Sequence, residues 1–256
     1  MEWTICEWPA EVYDIEPAQR SAVVLASGGL DSSSLISMLL GLGWDLTLVH
    51  FDYGSTHHEA EYRAFLQLVG HFGIEEERIY TVDLSSLKRL VSRGVALLDD
   101  RVDIPEGYYT EESMCQTVVP GRNTVMISYG LALAESLGKK FVAIAAHGGD
   151  HFIYPDCRID YLRCMSQTIF LASDEKVKLL APFAHLKKWE VVSVGNRFNC
   201  PFELTWSCYK GNPPKHCGAC GTCVERAEAF QKAGVKDPTT YDKDPRPFFE
   251  NKEDRE

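Results

Sequence analysis

The chain has 256 residues, 45% hydrophobic and 25% charged, the balance of a globular protein long enough to bury a core without disulfides. A formal net charge of -11 argues against a broad DNA- or RNA-binding face, which needs clustered Lys and Arg. It leaves room for a small anionic substrate held by local cations and helix N-termini. No run of 18 apolar residues is present, and the first residues lack a basic start with an apolar stretch, so a cytoplasmic protein without a membrane partner is expected.

Residues 1–20 show no steady period and read as an N-terminal extension. Ala22 to Ala26 reads as a buried strand, followed by a Gly-rich turn and a helix from Ser33 to Leu40. Leu46 to Phe51 is a second strand, Glu59 to Phe72 a helix, and Arg78 to Val82 a third strand. Residues 95–119 are rich in Asp, Glu, Tyr and Pro without a period, which suggests a lid or a subunit contact. A helix is expected from Asn123 to Leu137, stopped by Gly138, then a buried strand from Phe141 to Ala146. Ile159 to Ala172 reads as a helix, Lys178 to Ala181 as a short strand, and Lys187 to Phe198 as a helix. The alternation predicts an α/β fold with a doubly wound parallel sheet. The expected division is a nucleotide-binding catalytic domain over 21–200, a small loop-rich, zinc-binding C-terminal subdomain over 201–235, and a charged tail over 236–256, mobile at its end.

Ser27-Gly28-Gly29-Leu30-Asp31-Ser32 directly follows a buried strand and precedes a helix. Glycines let the backbone turn tightly and bring N–H groups to an anion, and the helix N-terminus adds partial positive charge. The loop lacks the Lys-Ser/Thr of a Walker motif and the G-x-G-x-x-G of a dinucleotide site. It resembles the PP-loop of the adenine nucleotide α-hydrolase-like ATP pyrophosphatases, which cleave ATP between the α- and β-phosphates. The resemblance implies ATP binding by Leu25, Ala26, Ser27, Gly28, Gly29, Leu30, Asp31, Ser32, Ser33, Ser34 and Leu35.

Of nine cysteines, Cys6, Cys115, Cys157, Cys164 and Cys200 are scattered, whereas Cys208, Cys217, Cys220 and Cys223 form C-x8-C-x2-C-x2-C. Four thiolates can surround one tetrahedral Zn²⁺, and four protein ligands leave no open position, so one structural zinc per chain is expected. A redox-active C-x-x-C pair and an iron–sulfur cluster are the alternatives. His216 reads as a bystander.

The PP-loop, Phe51-Asp52-Tyr53-Gly54, Val119-Pro120-Gly121-Arg122-Asn123, Tyr154-Pro155-Asp156-Cys157-Arg158 and Glu203-Leu204-Thr205-Trp206-Ser207-Cys208 occur in this order. Together they resemble the 7-cyano-7-deazaguanine synthase family of the queuosine and archaeosine pathways, over roughly residues 21–235. The resemblance implies a ligase that joins 7-carboxy-7-deazaguanine and ammonia with ATP and Mg²⁺, through an adenylated acid and an adenylated amide. It also implies a homodimer. His57-His58 stand where the family more often has a Gln-Arg-His-type sequence.

Candidate roles follow. Arg122 offsets charge on the α-phosphate or leaving group. Asp52 sits at a strand end, where open α/β sheets bind ligands, or caps a turn. Asp31 fixes the loop or contacts Mg²⁺. Tyr154 stacks on the deazaguanine, Asp156 reads its guanine-like edge, and Arg158 holds its carboxylate. Cys157 reads as packing, and His147 and Asp150 as possible proton handlers for ammonia. No direct nucleic-acid contact is expected. The rivals are a related ligase joining the adenylated acid to another amine, and a tRNA-thiolating PP-loop enzyme.

Overall fold

The computed structural model describes residues 5–91, 93–99, 101–108, 115–149 and 154–250. Among them, β1 (Ser21–Leu25), β2 (Asp45–Asp52), β3 (Ile79–Asp83), β4 (Phe141–Ala143) and β5 (Lys178–Leu180) form one sheet in the order β3-β2-β1-β4-β5. Every pairing is parallel, with Val24 of β1 opposite Leu48 on one side and Ala143 on the other. Such a sheet is covered on both faces, which is why its central strands are apolar without alternation.

Strand periodicity still divides the core in two. Val24, Leu48 and Ala143 pack with residues of α2 (Leu30–Gly41), α3 (His58–Phe72), α7 (Lys188–Arg197) and α8 (Gly221–Ala233). Val23, Val49 and Val142 face the opposite way, toward α5 (Arg122–Leu137) and α6 (Ile159–Ala172). Gly130 permits the close approach of α5: a Cβ there would lie 3.0 Å from Val142 and 3.1 Å from Leu25. Helix α2 is buried nearly all round despite four serines, because each bonds back toward a carbonyl at or just before its own helix. Ser33, Ser34 and Ser37 donate to the carbonyls of Gly29, Leu30 and Ser33 at 2.7–2.9 Å.

The expected strands and main helices are present, with three differences. Phe141–Ala143 is shorter than the six-residue strand read from sequence, since Ile144 makes one further bond to Leu180 and Ala145 and Ala146 then turn into a cleft. The short helices α1 (Pro9–Tyr13) and α4 (Ser85–Val91) add to the expected elements. The Cys-rich segment carries the 13-residue α8, whose first turn is formed by residues between the cysteines. Within 95–119, Val95, Ala96, Leu97 and Leu98 are buried, so this stretch contributes to the core. Residues 109–114 of the expected lid, Asp150, and the 251–256 end of the tail lie outside the described residues. Among the described residues no helix is long and apolar enough to cross a membrane.

Candidate active site

The chain reverses direction across the sheet between β1 and β4, and the cleft opens there, at the carboxyl ends of the strands. Open α/β sheets bind ligands at this switch point. The loop after β1 reaches α2 through Gly28, whose φ of +86° suits glycine. A Cβ at Gly28 would sit 2.6 Å from the Glu61 carbonyl oxygen and 2.8 Å from the Phe65 amide nitrogen, so α3 packs directly on the loop. Ser27 and Ser32 hydroxyls pair at 3.1 Å, and the Gly29 N–H donates to Ser27 Oγ. Helix α2 has no side-chain cap among the described residues, which leaves the N–H groups of its first turn for an anion.

Of the loop residues singled out from sequence, Leu25, Ala26, Ser27, Gly29, Leu30, Asp31 and Ser32 line the cleft. Ser33, Ser34 and Leu35 face the interior and are fully buried. Asp31 Oδ2 accepts from Lys188 Nζ at 2.6 Å, and its Oδ1 is buried without a hydrogen-bond partner among the described residues. Burial works against ionisation of Asp31, but Lys188 and then His147 more than offset it, holding the carboxyl below its usual range. His147 Nε2 lies 3.3 Å from Lys188 Nζ, and Glu225 of α8 lies 3.7 Å from it.

Arg122, at the start of α5, also lines the cleft; it donates to the Tyr53 hydroxyl at 3.3 Å and lies 5.4 Å over that ring. Tyr154 lines the same space and shares a hydrogen bond with Thr117 Oγ1 at 2.9 Å. Asp52, Asp156 and Arg158 are not among the residues lining the cleft. Asp52 Oδ1 accepts the Gly54 N–H at 2.9 Å, which stabilises the turn after β2, and Oδ2 faces His58 at 3.5 Å. Asp156 Oδ2 accepts the Asn123 N–H at 3.0 Å, so it serves the N-terminus of α5, next to Arg122. Arg158 is exposed at the start of α6. Cys157 is buried and accepts from Asn123 Nδ2 at 3.3 Å.

Lys188, Glu61, Tyr209 and Glu225 line the cleft without having been singled out from sequence. A lysine opening the helix that follows β5 carried a readable signal, because that position falls at the same sheet end as the PP-loop. The other three are recognisable only by where the chain brings them.

The four clustered cysteines bring their sulfurs within 4.8 Å of one another. Cys208–Cys220 and Cys217–Cys223 are each 3.9 Å apart, close to the ~3.8 Å edge of a tetrahedron of thiolates about one ion. The amides of Lys210, Gly211 and Cys217 point at Cys208 Sγ at 2.9–3.3 Å, and those of Ala219 and Cys220 at Cys217 Sγ at 3.3–3.4 Å. Such donors suit sulfur in its anionic form, and the group can hold one metal ion. His216 is not one of the cluster's four residues. Burial holds its imidazole neutral, with a pKa lowered to about 3, and Nε2 accepts the Ser207 N–H. The Trp206 N–H in turn donates to the Gly28 carbonyl at 2.9 Å, joining the cysteine knuckle to the PP-loop. Arg226 of α8, fully buried, ties Thr205, Ser207, Phe202 and Thr239 together with hydrogen bonds of 2.7–3.0 Å.

The family model for "Queuosine biosynthesis protein QueC" matches residues 21–234. The 7-cyano-7-deazaguanine synthase of Rhizobium rhizogenes is 45% identical over 223 residues, covering 86% of this chain and 91% of that protein. The Paracoccus denitrificans protein of the same name is 43% identical over 223 residues, 86% of this chain and 92% of that one. Among solved structures, the NMN synthetase of Francisella tularensis is similar at 12% identity and a TM-score of 0.48, over 95% of this chain and 92% of that one. With a family match that spans the sheet, the cleft and the cysteine knuckle, the chain belongs to the QueC family.

Proposed function

We propose that this chain uses ATP to convert 7-carboxy-7-deazaguanine and ammonia into 7-cyano-7-deazaguanine, the product in the name of its relatives. The observation that carries this reading is the convergence of open α2 amides, Lys188 and Arg122 on one cleft that extends to Tyr154. In the first stage the substrate carboxylate attacks the α-phosphorus and pyrophosphate leaves. Ammonia then displaces AMP to give the amide. In the second stage the amide oxygen is adenylated, pyrophosphate leaves again, and loss of AMP and protons yields the nitrile. Each half thus discards one oxygen of the acid as part of AMP.

The residues divide this work by position. Amides of Leu30 to Ser32, at the start of α2, bind the departing pyrophosphate, with Lys188 adding a full charge beside the loop. Arg122 faces charge on the α-phosphate, and Tyr154 offers a ring for stacking the deazaguanine. The buried Asp31 Oδ1, without a hydrogen-bond partner among the described residues, suits a contact with the Mg²⁺ that accompanies ATP. Asp52 and Asp156 act by holding the turn after β2 and the start of α5. One structural zinc fits the four thiols of Cys208, Cys217, Cys220 and Cys223, and would fix the knuckle against the PP-loop. A cytoplasmic homodimer without direct nucleic-acid contact belongs to the same reading.

The test is mass spectrometry of a reaction holding 7-carboxy-7-deazaguanine, ammonium, Mg-ATP and the purified chain. The nitrile with AMP and pyrophosphate is expected. AMP release without nitrile would move the activity to an acceptor other than ammonia, and absence of AMP under all these conditions would overturn the proposal.

A further inference from the structure

Residues 5–16 lie outside the 21–234 span matched by the family model, yet they are docked on the catalytic sheet. Cys6 pairs in parallel with Leu180, and its carbonyl accepts the Ala181 N–H at 2.9 Å, so the segment extends the sheet beyond β5. Glu7 is the next residue, and its side chain is only 11% exposed. It receives two bonds from Arg163 of α6, at 2.7 and 3.0 Å, and faces His185 Nε2 at 2.8 Å. Trp8 stacks on the His185 ring, with centroids 4.5 Å apart and planes 14° from parallel. The Glu11 carboxylate accepts the N–H groups of Glu7 and Trp8, fixing the clasp at its root.

His185 stands at a junction. Three residues later Lys188 opens α7 and reaches Asp31 beside the PP-loop. Immediately after it, the Leu186 carbonyl accepts the Gly148 N–H at 2.7 Å. Gly148 lies so close that a Cβ there would be 3.2 Å from the His185 carbonyl, and His147 precedes it in the same loop. Lys188 and His147, the two groups whose charge acts most strongly on Asp31, are therefore carried by backbone that leans on the 181–186 turn. We infer that Glu7 is a positioning residue for nucleotide binding: through His185 it holds the turn that sets Lys188, and the N-terminal segment is a working part of the ATP site. This rests on the phosphate-binding reading of Lys188.

The test is titration calorimetry of Mg-ATP binding to the full chain and to four variants: E7A, R20A, K188A and the E7A/K188A double variant. R20A is the structural control. Arg20 ties the same segment through the carbonyls of Tyr13 and Ile15 to that of Leu42 at the end of α2, and among the described residues its side-chain hydrogen bonds go to none of residues 181–188. The expected result is about tenfold weaker binding in E7A, less than about twofold in R20A, and no further loss when E7A is added to K188A. Equal weakening by E7A and R20A, or an undiminished E7A effect in the K188A background, would reduce Glu7 to a general stabiliser and overturn the inference. So would an unmodified chain that fails to bind Mg-ATP. Should E7A fail to fold, E7Q, which removes the charge and keeps the shape, enters the same cycle. Because the titration contains no deazaguanine, its outcome for Glu7 is independent of nitrile synthesis, whose failure would count against the proposed reaction alone.

Discussion

Lys188 Nζ lies 2.6 Å from Asp31 Oδ2, joining the first turn of α7 to the first turn of α2 across 157 positions of sequence. The pair sits with both side chains less than a third exposed, so solvent screens it only in part. Removing the ammonium has two effects: it takes a cation from the cleft beside the loop after β1 and leaves a half-buried carboxylate without its strongest partner. K188A is expected to lower kcat/KM for ATP-dependent AMP release by about 10- to 100-fold and to cost about 1–3 kcal/mol of stability. Steady-state AMP assays and urea midpoints measure the two effects separately. Unchanged AMP release would remove Lys188 from the site.

Gly28 and Gly70 are expected to respond in opposite directions to alanine. Gly28 combines a φ of +86° with backbone atoms 2.6 and 2.8 Å from the site of a Cβ, so G28A must push α3 off the loop. A loss above about 1 kcal/mol, with ATP turnover abolished, is expected. Gly70 lies in α3 with nothing within 4 Å of a Cβ, and G70A is expected to stabilise by about 0.5–1 kcal/mol. Thermal denaturation of both variants checks this, and a G28A protein of unaltered stability and turnover would refute the packing argument.

Metal removal is expected to reach the nucleotide site. The knuckle contacts the PP-loop through the Trp206 N–H to the Gly28 carbonyl, and α8 begins within the cysteine cluster. Preparations are expected to release one equivalent of zinc to a colorimetric chelator after thiol modification. C208A is expected to lose that metal and most Mg-ATP affinity together. Full ATP binding by a metal-free C208A protein would show that the knuckle is energetically separate from the loop.

The Glu7 clasp gives a pH dependence of definite sign. Burial opposes ionisation of Glu7, but Arg163 and His185 more than offset it, so the carboxyl lies below its ordinary value of 4.5. Its contribution is present above 4.5 and is lost as pH falls through the lower, folded-state value. E7Q resembles the protonated glutamate. Urea midpoints of E7Q and the unmodified chain are expected to differ at about pH 7 and to converge as pH falls below the ordinary carboxylate range. A constant gap across that range would place the clasp's stabilisation elsewhere, in the Trp8 stack or the Cys6 pairing.

Buried arginine is the riskiest residue to remove from the knuckle. Arg226 Nη1 alone donates to Thr205 Oγ1 and Ser207 Oγ, and its guanidinium lies 5.2 Å over the Phe230 ring. R226M fills the volume but leaves those acceptors unpaired. A loss of about 3 kcal/mol or more is expected in urea denaturation, and a loss under about 1 kcal/mol would mean that water replaces the guanidinium.

The strands were legible because each is a short run rich in apolar and β-branched residues, but their order was not, since β4 follows β3 in sequence yet pairs with β1. The loop after β1 was legible for a different reason: its glycines, a preceding strand and a following helix are contiguous in sequence. The cysteine spacing likewise placed four sulfurs within one knuckle. Helix α8 was harder to see, since the Cys-Gly-Thr-Cys at its first turn masks a helical period carried by Val224, Ala227 and Phe230.

Side-chain roles at the cleft follow a different logic. Asp52 was a plausible ligand by its strand-end position and Asp156 as a carboxylate for a guanine-like edge; in the fold both accept backbone amides at the ends of local elements. Lys188, Glu61, Tyr209 and Glu225 come from four separate stretches of chain and meet because the sheet order β3-β2-β1-β4-β5 brings their elements to one cleft. Local backbone chemistry is written in contiguous residues and can be read there. Which charged group faces the nucleotide and which caps a turn depends on distances between segments far apart in the chain, and these are set by the packing of helices on the two faces of the sheet.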